Sequence, residues 1–175
     1  MMRRLLVVCA VLAALVAAGC GDNTKTVTTT NAQGKQVTQT VPDIKFAKTK
    51  FLLHSGLAFG AFHRYILKPY RAGSFRKGAS GRTKALAKAA AAGVFAVHEL
   101  KVARKDALAD DHLRPLANRL DTAVRRLGGL SSLLKGGSLN PGQLLGAAGA
   151  IGALGRQSAG AGATIKDRTA PSLGG

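Results

Sequence analysis

The chain has 175 residues, 26 basic and 8 acidic side chains, a formal charge of +18 and two cysteines. That length holds one modest domain with tails rather than two full-sized ones. Two cysteines build neither a disulfide scaffold nor a four-thiolate zinc site. Aromatic residues are 5% of the chain and Trp is absent, so much of the 46% hydrophobic content is small and predicts a thin core.

The chain opens MMRRLLVVCAVLAALVAAGC. Arg3 and Arg4 precede an uninterrupted apolar run from Leu5 to Ala18, too short in a helix to cross a bilayer core of about 30 Å. The pattern is that of a signal-peptide h-region. Its end, Ala17-Ala18-Gly19-Cys20, resembles the lipobox of bacterial lipoproteins, with Ala17 where Leu is usual. The resemblance implies that residues 1–19 are removed as a signal peptide and that Cys20 carries diacylglycerol, with palmitate among its acyl chains. It also implies a lipid anchor in the cell membrane, on the extracytoplasmic face of the cell envelope. Two acyl chains hold stably where one holds reversibly, at roughly 0.8 kcal/mol per buried CH₂. Cys9 is then discarded, and the mature side chains keep 24 basic and 8 acidic residues.

Residues 20–43 follow as the lipidated cysteine and a polar linker. Thr26 to Thr28 and Gln36 to Val41 alternate polar and apolar around Asn31-Ala32-Gln33-Gly34, as a small hairpin would. An isolated hairpin is marginal in water, so a flexible spacer is the expectation. Pro42 ends the spacer, with Asp43 as N-cap of the next element.

The body, residues 44–155, reads as an all-α bundle of three to four helices. Phe46, Phe51, Leu53, Leu57, Phe62 and Ile66 mark a first, buried helix over 44–67, with Gly56 and Gly60 spaced for close approach of another helix. Lys68-Pro69-Tyr70 should break it. A second helix is expected from about Arg82 to Ala109, with Leu86, Ala90, Val94, Val97 and Leu100 on its apolar face. Asp110-Asp111 offers a cap and Pro115 fits a first turn. Leu113, Leu116, Leu120, Ala123, Leu127, Leu130 and Leu134 then form the clearest amphipathic stripe in the chain, interrupted by Gly128-Gly129. Asn140-Pro141-Gly142-Gln143 starts a short helix to about Leu154. Residues 156–175 read as a flexible Gly-rich tail.

No catalytic constellation emerges, which points to a non-enzymatic protein. His98-Glu99 lacks the second histidine of a zinc-protease motif, because Val102 stands there. Gly78 to Arg82 lacks the final glycine of a nucleophile elbow. Gly73 and Gly78 have P-loop spacing, but Ala79-Ser80 replaces the Lys and Ser/Thr. Asp106 and Asp110 lie one helical turn apart, although capping explains Asp110. His54, His63, His98 and His112 are the candidates for a metal or haem site in an alternative, histidine-dependent bundle. His54 and His63 fall on opposite sides of one helix, so no metal ligand set and no cofactor is assigned. A further alternative is a structural, partner-binding subunit that uses the glycine faces around Gly56 and Gly146.

The positive signal is basic. Residues 68–88 read KPYRAGSFRKGASGRTKALAK, with Lys68, Arg71, Arg76, Lys77, Arg82, Lys84 and Lys88 and no acidic residue. Tyr70 and Phe75 are interleaved, and glycines bring backbone N–H groups within reach of an anion. These seven residues are the anion-binding candidates. No recognisable nucleic-acid-binding motif accompanies them, so anionic lipid or a cell-wall polymer is the expected partner.

Overall fold

The computed structural model describes residues 23–30 and 35–169. Residues 1–22, with the signal segment and Cys20, residues 31–34 and residues 170–175 lie outside them. The fold is mainly helical with a small two-stranded sheet, and the chain divides into units at Asp43 and Ile44.

In the first unit, β1 (Thr24–Thr30) and β2 (Gln36–Pro42) pair antiparallel, with Thr24 opposite Pro42 and Thr30 opposite Gln36. The segment expected to be a flexible spacer is therefore a ladder, and the fold is not purely helical. Both strands are dense in β-branched Thr and Val, whose restricted side chains favour extended backbone. The N–H of Asp43 donates to the carbonyl of Asn23 at 2.6 Å, so Asp43 extends the ladder and is not a helix cap.

Among its described residues, the second unit holds four long helices. α1 (Ala47–Phe62) begins at Phe46, which stands in the left-handed region at φ 57° and is 80% exposed. It runs without a break into a π-helical turn (His63–Leu67) and then α2 (Lys68–Arg71). The expected break at Lys68 is absent. Pro69 has no N–H to donate, and its ring crowds the carbonyl four residues earlier. The wider turn ahead of it absorbs that demand.

After turns over 72–81, α3 (Arg82–Ala109) has the expected bounds, and of its expected face Leu86, Ala90 and Leu100 are buried and Val97 packs against the core, while Val94 does not. Ala89, Ala92, Gly93, Ala96, Ala103 and Ala107 are buried beside Leu86 and Leu100, while Val94 is 44% exposed. The face is built from the smallest side chains, which brings neighbours close. A β-carbon on Gly93 would stand 3.0 Å from the side chain of Ser131, whose hydroxyl donates to the Ala90 carbonyl at 3.3 Å.

Asp110 Oδ1 accepts from the backbone N–H groups of His112 (3.0 Å) and Leu113 (3.2 Å), ahead of a 3₁₀ turn (Arg114–Leu116) containing Pro115. α4 (Ala117–Lys135) follows, running through Gly128-Gly129 unbroken. Every leucine of the expected stripe from Leu113 to Leu134 is buried, as is Ala123. α5 (Pro141–Gly160) is capped by Asn140, whose side chain accepts from the Gln143 N–H at 3.2 Å. It extends well past the expected end at Leu154. α1 packs on α3, α3 on α4 and α4 on α5 around one core.

The tail expected to be loose is in part fixed. Residues 163–169 are neither helix nor strand; Ala163 is buried, Lys166 and Arg168 lie against α1, and the Arg168 N–H donates to the Gly56 carbonyl at 2.9 Å. The groove formed by Gly56 and Gly60 thus holds this strap, not a second helix. A β-carbon on Gly56 would stand 2.5 Å from the Lys166 carbonyl oxygen, and one on Gly60 1.9 Å from that of Arg168.

Leu127 is fully buried and Leu145 is 63% exposed. Leu127→Ala should cost about 2–5 kcal/mol in denaturant unfolding, and Leu145→Ala less than about 0.5 kcal/mol. Equal effects would contradict this core assignment.

Candidate anion-binding face

The seven basic candidates divide. Lys68 and Arg71 lie on α2, Arg76 and Lys77 in the turns after it, and Arg82, Lys84 and Lys88 on the first two turns of α3. Arg71, Arg76, Lys77 and Arg82 line one open cleft of about 690 Å³, together with Tyr70, Phe75 and the 137–141 segment that leads into α5. Lys84 and Lys88 lie further along α3 and line no part of it.

Arg82 is also a structural staple. Its Nε donates to the Phe75 carbonyl at 3.0 Å and its Nη2 to the Gly137 carbonyl at 3.1 Å, which ties the basic loop to the turn between α4 and α5. The loop's backbone is likewise engaged. Gly73 takes φ 74° in a turn and donates its N–H to the Tyr70 carbonyl at 3.0 Å. The expected cradle of free glycine N–H groups therefore loses a member, and side chains carry the positive face.

A second cleft, of about 770 Å³, shares Arg71 with the first. The π turn and α2 line it with His63, Arg64, Lys68 and Arg71, and the strap with Asp167 and Arg168. His63 Nδ1 donates to Asp167 Oδ2 at 2.7 Å, so the one carboxylate of this cleft is paired. Arg64 is four residues before Lys68, within one face of a helix, and legible from the sequence on that ground. Arg168 carries no such signal, because only the glycine groove 108 residues earlier brings it here.

The four histidines stand apart. His54 Nδ1 donates to Glu99 Oε2 at 2.6 Å, His63 is paired with Asp167, and His98 and His112 are exposed. Among the described residues, no three His, Cys, Asp or Glu side chains are grouped to hold a metal ion. Of the glycine faces, the one at Gly56 is covered by the strap, and Gly146 is half-buried near the side chain of Arg126. Cys20 lies outside the described residues. Among those described, no helix is long and apolar enough to cross a membrane. No family model, curated protein or solved structure matches the chain.

One buried carboxyl departs from the ordinary range. Desolvation pushes Asp106 upward, against the opposing pull of His54 and Lys50, and its Oδ2 has no hydrogen-bond partner. Asp110, its expected companion, is committed to capping the next turn.

For a carboxyl whose folded pKa is raised, the stabilising contribution is complete below the unfolded pKa and is lost as pH rises through the folded value. Asp106→Asn should therefore raise the melting temperature more at pH 7 than at pH 4; the reverse order would refute the desolvation account. Arg82→Lys and Arg82→Gln should each cost about 1–2 kcal/mol of stability, because an ammonium cannot reach both carbonyls as the planar fork does. Full retention by the lysine variant would show that charge alone matters there.

Proposed function

We propose that this protein is a non-enzymatic envelope lipoprotein, held in the cell membrane by a diacylated Cys20, whose basic helical domain contacts anionic lipid or wall polymer. The observation that carries the domain's role is the convergence of Arg64, Lys68, Arg71, Arg76, Lys77, Arg82 and Arg168 on two adjoining clefts that contain one carboxylate between them, already paired. Each Lys or Arg near an anionic surface contributes about 1 kcal/mol, weakened by salt over a Debye length of about 10 Å at 0.1 M. The anchor is supported by the apolar run and the Ala17-Ala18-Gly19-Cys20 motif.

An anchor makes modest attraction effective, because a tethered domain meets its surface at high local concentration. Tether and basic face therefore reinforce each other, and neither needs to bind tightly alone.

The test is metabolic palmitate labelling of the wild-type chain and Cys20→Ala. The variant should lose both label and membrane retention in a high-salt wash, and it should bind anionic vesicles at low salt but not at high salt. Unchanged retention of the variant in high salt would overturn the anchor. Failure to bind anionic vesicles or wall polymer at low salt would overturn the role of the basic face.

A further inference from the structure

The cleft beside the strap differs from a charged surface in being assembled. Arg64, Lys68 and Arg71 come from one continuous helical path, α1 through the π turn into α2. Arg168 comes from the other end of the unit. Its backbone is held in three ways. Its N–H donates to Gly56, the absence of β-carbons at Gly56 and Gly60 admits the strap's carbonyls, and the neighbouring Asp167 is held by His63. Among the described residues, none of the four cations makes an ion pair or a side-chain hydrogen bond, whereas the half-buried Arg104 and Arg114 both pair with aspartates.

We propose that this cleft binds the phosphate group of an anionic lipid headgroup through Arg64, Lys68, Arg71 and Arg168, with the Asp167–His63 pair positioning Arg168. Three guanidinium groups and an ammonium present a surplus of donors around one opening. A phosphate has several acceptor oxygens to take them, and arginine forks match its geometry. A cleft of about 770 Å³ admits a headgroup as well as its phosphate. Membrane lipid is favoured over wall polymer because an anchor at Cys20 would keep the domain beside headgroups. The inference rests on the function proposed above.

Asp167 separates a built site from diffuse attraction, since the two predict opposite signs. If charge alone acted, Asp167→Asn would bind anionic vesicles more tightly, having lost a negative group. If Asp167 positions Arg168, the same variant binds less tightly. The chain from Gly21 to Gly175, which lacks the signal segment and the lipid attachment point, serves as background, with vesicles of phosphatidylcholine containing phosphatidylglycerol. Asp167→Asn and Gly60→Ala should each weaken binding about threefold or more. Arg64→Gln with Arg168→Gln should weaken it at least about tenfold, and Lys101→Gln with Lys105→Gln, on the distant half of α3, by less than about threefold. Circular dichroism of each variant checks that the helices remain.

Tighter binding by Asp167→Asn, or equal losses for the two double variants, would overturn the site while leaving general attraction intact. No vesicle binding by the background chain at low salt would instead overturn the proposed function beneath it. Wall polymer competing for the site better than phosphatidylglycerol vesicles do would overturn the choice of lipid. Inorganic phosphate should protect the background chain from thermal unfolding more than it protects Arg64→Gln with Arg168→Gln. Equal protection would count against a phosphate site.

Discussion

The absence of two β-carbons decides the arrangement of the candidate site. Gly56 and Gly60 are one helical turn apart on α1, and the strap lies where their side chains would be. At Gly60 the clearance is below any real van der Waals distance, so any residue with a β-carbon must displace the Arg168 carbonyl. The groove contributes a place for a peptide backbone, and the Gly56 carbonyl contributes a hydrogen bond to it. From that seat follow the position of Arg168, the pairing of Asp167 with His63, and the basic cleft.

The same economy of side-chain size runs through the core. Ala58 and Ala61 of α1 and Ala89, Ala92, Ala96, Ala103 and Ala107 of α3 are buried, and each buries little area. Leucines supply the larger volumes from α4, with Phe51, Phe62 and Ile66 from α1 and the π turn. A core of this kind has few large groups to spare, and polar groups left inside it matter. Asp106 is the clearest case, a buried carboxyl whose desolvation outweighs its cationic neighbours.

Much of the helical body was legible because its signals are local. The leucine stripe from Leu113 to Leu134, the Asn140 cap and the bounds of α3 each depend on spacing along one helix. What was not legible depends on distant partners. The spacing of Gly56 and Gly60 announces close approach but not what approaches, and the segment that does lies in a stretch whose composition reads as tail. Pro69 reads as a stop, yet a π turn accommodates it. The threonine-rich segment reads as spacer because a hairpin has little stability of its own, while its β-branched residues still select a ladder. Of the basic residues, those after Pro69 stand out as an acid-free run, Arg64 was readable from helical spacing, and Arg168 was not readable from any local pattern.

The claim on which the site rests is that the strap is seated in the glycine groove of the unliganded protein. Amide hydrogen exchange at Arg168, measured without lipid, tests it most directly. Its N–H, bonded to the Gly56 carbonyl, should exchange far more slowly than in an unstructured chain, and Gly60→Ala should abolish that protection while leaving amides in the middle of α4 protected. Exchange of Arg168 at the unprotected rate in the wild-type protein would contradict the account.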